Sequence, residues 1–145
     1  MKKIIIILAL LLAPAGVMAA DSLMGTAHRM NDNRISLGLS PEMKQHQLSN
    51  MRAHMAALQT IISLLAEGRF DKASKIAHSK LGLTEEMKQM CDMFENEDFR
   101  KLGLAFHNSG DELGDTLQTK DIKKSLQALA RTTAYCVQCH DKFRQ

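Results

Sequence analysis

Three residues near the C-terminus carry the most specific chemistry in the chain. Cys136 and Cys139 stand three apart and His140 follows at once, in Cys136-Val137-Gln138-Cys139-His140. Two thiols on one helical turn can each add to a haem vinyl group, and the next residue then brings an imidazole under the iron. This spacing is the attachment signature of a c-type haem, and histidine is a standard axial ligand. Two other chemistries use paired cysteines. A thioredoxin-like Cys-x-x-Cys needs a strand–helix–strand setting, and no stretch of this chain reads as a strand. A zinc site needs four ligands, usually in two close pairs, and the third cysteine, Cys91, stands alone. The expectation is therefore one covalent haem, with thioethers at Cys136 and Cys139 and His140 as proximal iron ligand.

The elements that must hold this site are helical. Asp121 is placed to cap a last helix whose apolar seam runs Ile122, Leu126, Leu129, Thr133, Cys136, His140, Phe143, which directs His140 and one cysteine inward. Ser40-Pro41-Glu42 is a helix start, with an N-cap serine, proline at the first helical position and an acid near the positive end of the dipole. Leu48, Met51, Met55, Leu58, Ile62 and Leu65 follow in alternating steps of three and four, a bundle seam. From Glu42 to Glu67 that helix spans about 39 Å, and Gly68 offers a left-handed stop. A shorter helix is expected over Phe70–Lys80 and another after Thr84 with Met87, Met90, Cys91 and Phe94 on one face; the two can act as one interrupted helix. Phe99, Leu102, Phe106, Leu113 and Leu117 mark a second long seam, interrupted by Gly103, Gly110 and Gly114. Those glycines either weaken that helix or let a flat macrocycle or a neighbouring helix come close.

The first residues read as an export signal, not as fold. Lys2 and Lys3 precede an apolar run from Ile4 to Leu12, Pro14 and Gly16 break it, and Val17-Met18-Ala19 offers a cleavage site. The run is too short for a membrane span, which needs about 20 residues. This divides the chain into a signal peptide at 1–19, an N-terminal extension at 20–39, partly ordered at best and holding a solvated His28, and one domain at 40–145. The formal charge of +3 falls toward neutrality once Lys2 and Lys3 leave. No cluster of basic residues with interleaved aromatics suggests nucleic acid. Export fits covalent haem attachment, which bacteria carry out in the periplasm.

The run Cys136-x-x-Cys139-His140-x-x-Phe143-Arg144, at the end of the last helix of an exported helical chain, resembles the class II c-type cytochromes, the cytochromes c′ and their low-spin relatives. The resemblance covers about Ser40 to Arg144. It implies an all-α, up-down-up-down four-helix bundle with one covalent haem c in its core, the architecture for which cytochrome c′ is a type case. It implies proximal ligation by His140, places Arg144 where a contact to a haem propionate or plain solvation are both open, and allows a homodimer.

The family divides on the sixth iron position. Leu48-x-x-Asn-Met51 is similar to the first helix of the b-type four-helix cytochrome of the periplasm, in which such a methionine binds iron, and this favours Met51. With ten methionines in the chain, core packing is the plainer role for any one of them. Met55 and His54 are the alternatives, as is no protein ligand. Met/His ligation implies a carrier of single electrons between redox partner proteins; an open face implies a five-coordinate cytochrome c′ that binds nitric oxide or carbon monoxide. Nothing places an acid–base pair beside the iron, so an enzyme is not expected. His46, His78 and His107 are expected at the surface or rim, and Cys91 on a buried helix face or, less simply, in an intermolecular disulfide.

Overall fold

A computed structural model describes residues 32–145. The signal segment, the extension up to residue 31 and His28 lie outside the described residues. Five helices make up most of the described chain: α1 (Pro41–Ala66), α2 (Phe70–Lys80), α3 (Glu85–Asp92), α4 (Glu97–Gln118) and α5 (Ile122–Lys142). The described residues are mainly helical, consistent with the expected all-α class, and no described helix is long and apolar enough to cross a membrane.

The helix starts follow local chemistry. Ser40 Oγ accepts from the Met43 amide, Thr84 Oγ1 from Met87, Asn96 Oδ1 from Phe99 and Asp121 Oδ1 from Lys124. Each satisfies an amide that the first helical turn leaves without a partner. The turn between α1 and α2 passes through Gly68 at φ +68°, a conformation that costs a residue with Cβ.

α4 is the hub: α2, α3 and α5 all pack on it, and α1 packs on α2. Gly110 and Gly114 explain how closely α2 approaches. A Cβ at Gly110 would sit 2.5 Å from the backbone carbonyl of Leu81, and one at Gly114 would meet the His78 ring at 2.4 Å. These two glycines therefore serve helix–helix approach, not a macrocycle. Gly110→Ala is expected to cost about 1–3 kcal/mol by overpacking, read as a lower denaturant midpoint with an unchanged slope.

The buried faces differ in phase from the expected seams. On α1 the buried or half-buried stripe is Gln47, Met51, His54, Leu58, Ile61, Leu65, while Met55 is 65% and Ile62 54% exposed. On α5 Ser125, Ala128, Leu129 and Thr132 are buried, and Ile122 and Leu126 face solvent. The cause is α4. Ser125 and Thr132 bring small side chains to the close approach, Thr132 Oγ1 donating to the Ser109 carbonyl at 3.1 Å, where a leucine would not fit.

The expectation of no strand also needs correction. Ile35–Ser36 (β1) pairs in parallel with Phe143–Arg144 (β2), the residues after α5. The Leu37 amide donates to the Arg144 carbonyl at 3.1 Å, and an Arg34 guanidinium N–H donates to the His140 carbonyl at 3.2 Å. The end of the N-terminal extension is thus an ordered strap over the tail of α5.

Two apolar clusters result. The larger joins Leu58, Ile61 and Leu65 of α1 to Leu113 and Leu117 of α4 and Leu129 of α5, with Cys136 and Tyr135 at its edge. The smaller is Phe94, Phe99 and Phe143, with Leu37, Met90, Leu102 and Cys139 around it. Its rings meet edge to face, Phe94–Phe99 at 4.7 Å and Phe99–Phe143 at 5.3 Å between centroids. Domains of this size usually have one contiguous core, so the gap between the two clusters is the feature to explain.

Candidate functional site

The gap is a cavity. Its volume is about 80 Å³, below the range of about 300–1,000 Å³ typical of cofactor sites, so a ligand of that size needs its walls to part. α5 lines it with Tyr135, Cys136, Cys139 and His140; α1 with Gln47, Asn50, Met51 and His54; α3 and α4 with Met87, Met90, Cys91, Phe99 and Phe106 among others. The two motif cysteines sit on one wall, Cys136 joined to the larger cluster and Cys139 to the smaller.

Comparison with protein-family models, with curated proteins and with solved structures finds no match for this chain. The site is therefore read from its own residues.

Cys136 and Cys139 are free thiols and half-buried. Burial raises both pKa values, that of Cys139 to about 11, with Cys136 beside it adding to the rise. Neither is poised as a thiolate nucleophile, which sets the pair apart from reactive redox cysteines. Among the described residues no three His, Cys, Asp or Glu side chains converge as a metal cage. His140, expected to point inward, is exposed at the rim and still lines the cavity.

The structure divides the three sixth-ligand candidates. Met51 and His54 line the cavity; Met55 does not and points to solvent. Met55 is thereby removed as a ligand candidate. The 3.6-residue turn places position 54, not 55, over 47, 51 and 58 on the inner face.

His54 and His107 form an aromatic group with Phe106. His54 lies 4.9 Å from the Phe106 ring and 5.4 Å from His107. His107, expected at the surface, is only 5% exposed. Its Nδ1–H donates to the Leu81 carbonyl at 2.8 Å, a satisfied burial that hydropathy does not signal. Burial lowers the His107 pKa, against smaller opposing effects of the nearby carbonyls and Asp111. Burial, with His107 alongside, lowers that of His54 from 6.5 to about 4.

The remaining candidates fall as follows. His46 is exposed; His78 is half-buried and paired with Asp111 at 2.9 Å and Asp115 at 3.4 Å. Cys91 is buried on the cavity wall, opposite Gly103, and burial raises its pKa. Arg144 is exposed and lines a second, adjacent cavity.

A pH test follows from His54. The folded pKa lies below the unfolded value, so the folded state binds fewer protons. Stability from this group is complete above about pH 6.5 and is lost as pH falls toward about 4. The cofactor-free chain should lose up to about 3 kcal/mol across that window, and His54→Gln should flatten most of the loss in urea titrations at the two ends.

The donor set fits an iron porphyrin. Two neutral thiols a turn apart can bond to its vinyl edge, an imidazole follows them, and a thioether and a second imidazole stand on another wall. The surrounding side chains are mostly apolar, as a macrocycle requires.

Proposed function

We propose that the mature protein is a periplasmic monohaem c-type cytochrome that passes single electrons between partner proteins. In this reading the haem is joined to Cys136 and Cys139, with His140 and Met51 as iron ligands. The helices form an up-down-up-down four-helix bundle in which α2 and α3 together count as one interrupted member. The observation that carries the reading is the cavity between the two apolar clusters, lined at once by Cys136, Cys139, His140 and Met51.

Bound there, the haem supplies a one-electron couple at iron. The protein's part is to hold it and tune it. The two cysteines prevent its loss. His140 and Met51 would hold the iron with the same donor atoms in both oxidation states, which would keep reorganisation small, and a thioether ligand raises the potential. Phe94, Phe99 and Phe106, which line the cavity, would shield the macrocycle from water. His54, held neutral by burial, adds no charge beside the iron at pH 7.

The test is an optical spectrum of the matured protein, oxidised and reduced, before and after carbon monoxide. A low-spin spectrum with a methionine–iron charge-transfer band, indifferent to the gas, is the expected result. A high-spin spectrum that answers to the gas would instead make this a five-coordinate gas-binding cytochrome.

A further inference from the structure

The cavity is smaller than a cofactor site, so one wall must give way, and the walls are not held alike. α5 is fixed to α4 by Thr132, which donates to the Ser109 carbonyl at 3.1 Å, and by Lys142, paired with Asp98 at 2.6 Å. α2 is fixed to α4 by Ser74, which donates to the Gly114 carbonyl at 2.8 Å, and the Leu81 carbonyl that follows α2 accepts from His107 at 2.8 Å. α1 is one continuous rod, rooted in the larger cluster at Leu58, Ile61 and Leu65. α3 has no such ties. Among the described residues, no side chain of Glu85–Asp92 bonds to another element, and the one side-chain pair within it is Gln89 with Glu85 at 3.3 Å. Of its eight residues only Cys91 is buried.

We infer that α3 is a lid: residues 84–93 swing off α4 to admit the haem and settle back over it. This inference rests on the haem reading and adds to it a route of entry. The lid is pinned at both ends. The Leu83 amide donates to Asp111 Oδ2 at 2.8 Å, and the Phe94 carbonyl accepts from Arg100 at 2.9 Å. At those ends Leu81 is sunk in the larger apolar cluster and Phe94 in the smaller, so α3 bridges the gap that is the cavity. A segment fixed at two points and loose between them turns about the line that joins them. The joints are short non-helical stretches, residues 82–84 before α3 and 93–96 after it, where backbone rotation is most readily absorbed. The inner face suits two positions. Met87 and Met90 line the cavity, and unbranched thioether side chains repack easily around a new shape. Glu85, Glu86, Lys88, Gln89 and Asp92 are exposed already, so the swing takes no polar group out of water.

The rival mover is the first half of α1, which brings Gln47, Met51 and His54 to the cavity. A continuous helix opens there only by tilting as a rod, which disturbs Leu58 and Ile61 in the larger cluster and Met43 beside the smaller one. α3 opens without touching either core. Its contact with α4 also supplies a lock. Cys91 faces Gly103, and a Cβ at that glycine would stand 3.2 Å from the Cys91 sulfur, close enough for a cysteine there to form a disulfide with Cys91.

The experiment uses the full chain in cells that mature c-type haem proteins, and reads covalent haem by mass and disulfides by peptide map. Gly103→Cys should bond to Cys91 on export, lock the lid and lose most of its haem. Adding Cys91→Ser to that variant should restore the haem, which separates the lock from the bulk of the new side chain and from mispairing with Cys136 or Cys139. A Gly103→Cys chain that shows the disulfide and still carries a full complement of haem would overturn the inference. Where the map shows no disulfide, amide hydrogen exchange on the cofactor-free chain decides. The amides of Glu85–Asp92 should exchange faster than those of residues 41–54 and gain the more protection from haem; the reverse order would make α1 the moving wall. A wild-type chain that comes out without haem would instead remove the functional reading on which the lid rests.

Discussion

The double variant Cys136→Ser, Cys139→Ser, produced in cells that mature c-type haem proteins, should emerge at its bare polypeptide mass. The wild-type chain from the same cells should be heavier by one haem and keep its colour through denaturation. The effect is all or none, because a thioether is either formed or absent. Each thiol lines the cavity and neither is tied up in a disulfide, so each is available to a vinyl group. Addition of a neutral S–H across a vinyl double bond consumes both groups and needs no oxidant. The single variants should retain the haem through one remaining bond, and mass spectrometry of the denatured chain should still show the adduct. Cys91→Ala is the control for thiol identity. Cys91 lies on the same cavity but outside the Cys-x-x-Cys-His turn, and its replacement should leave the covalent mass unchanged. A wild-type protein that comes out colourless from competent cells would exclude the reading altogether.

The helix boundaries were legible because capping is local. Ser40, Thr84 and Asp121 each stand where a short polar side chain reaches an amide three residues on, and that requirement is visible in four or five letters. The buried faces were less so. An alternation of three and four residues admits more than one phase on the same helix, and following methionine and isoleucine selects Met55 and Ile62. The fold uses the neighbouring phase, with Gln47 and His54 inside and Met55 outside. Hydropathy alone favours the first choice; the nearness of other helices decides for the second.

The same limit hid the polar interior. Ser74 donates to the Gly114 carbonyl at 2.8 Å, Ser109 to Phe106 at 2.6 Å and His107 to Leu81 at 2.8 Å. A buried polar side chain is tolerable when its partner is in place. Those partners are supplied by the path of another helix, or by a turn already formed, and not by the residue's immediate sequence. The strap is the extreme case. Ile35 and Ser36 have no periodic pattern to announce them, and their partners lie over one hundred residues away at Phe143 and Arg144. The placing of Cys136, Cys139 and His140 on one helix was legible for the opposite reason: they fit within a turn and a half of α5. The rest of the cavity wall is assembled from three other helices and was legible only as far as the first of them.

On the haem reading, Met51 and His54 are the two candidates for the sixth iron position, and paired substitutions separate them from each other and from an open face. Met51→Ala is expected to convert a low-spin, gas-indifferent protein into a high-spin one that binds carbon monoxide, with a lower reduction potential. Loss of the thioether ligand opens a coordination position, and the apolar surroundings of Met90, Phe94 and Phe106 leave it accessible to a small neutral gas. His54→Ala should leave the low-spin spectrum in place. Its ring is already engaged against Phe106 and His107, at 4.9 and 5.4 Å, and using it as a ligand would require it to leave that group. The thioether also binds iron without an acid–base equilibrium, so the low-spin spectrum should persist below pH 5, where an unbound His54 begins to take up its proton. Imidazole ligation would give the reverse pattern: His54→Ala high-spin, Met51→Ala unchanged, and an acid transition as proton competes with iron for the ring nitrogen. Met55→Ala serves as the neutral reference, because a side chain facing solvent cannot alter the coordination without a change of helix register.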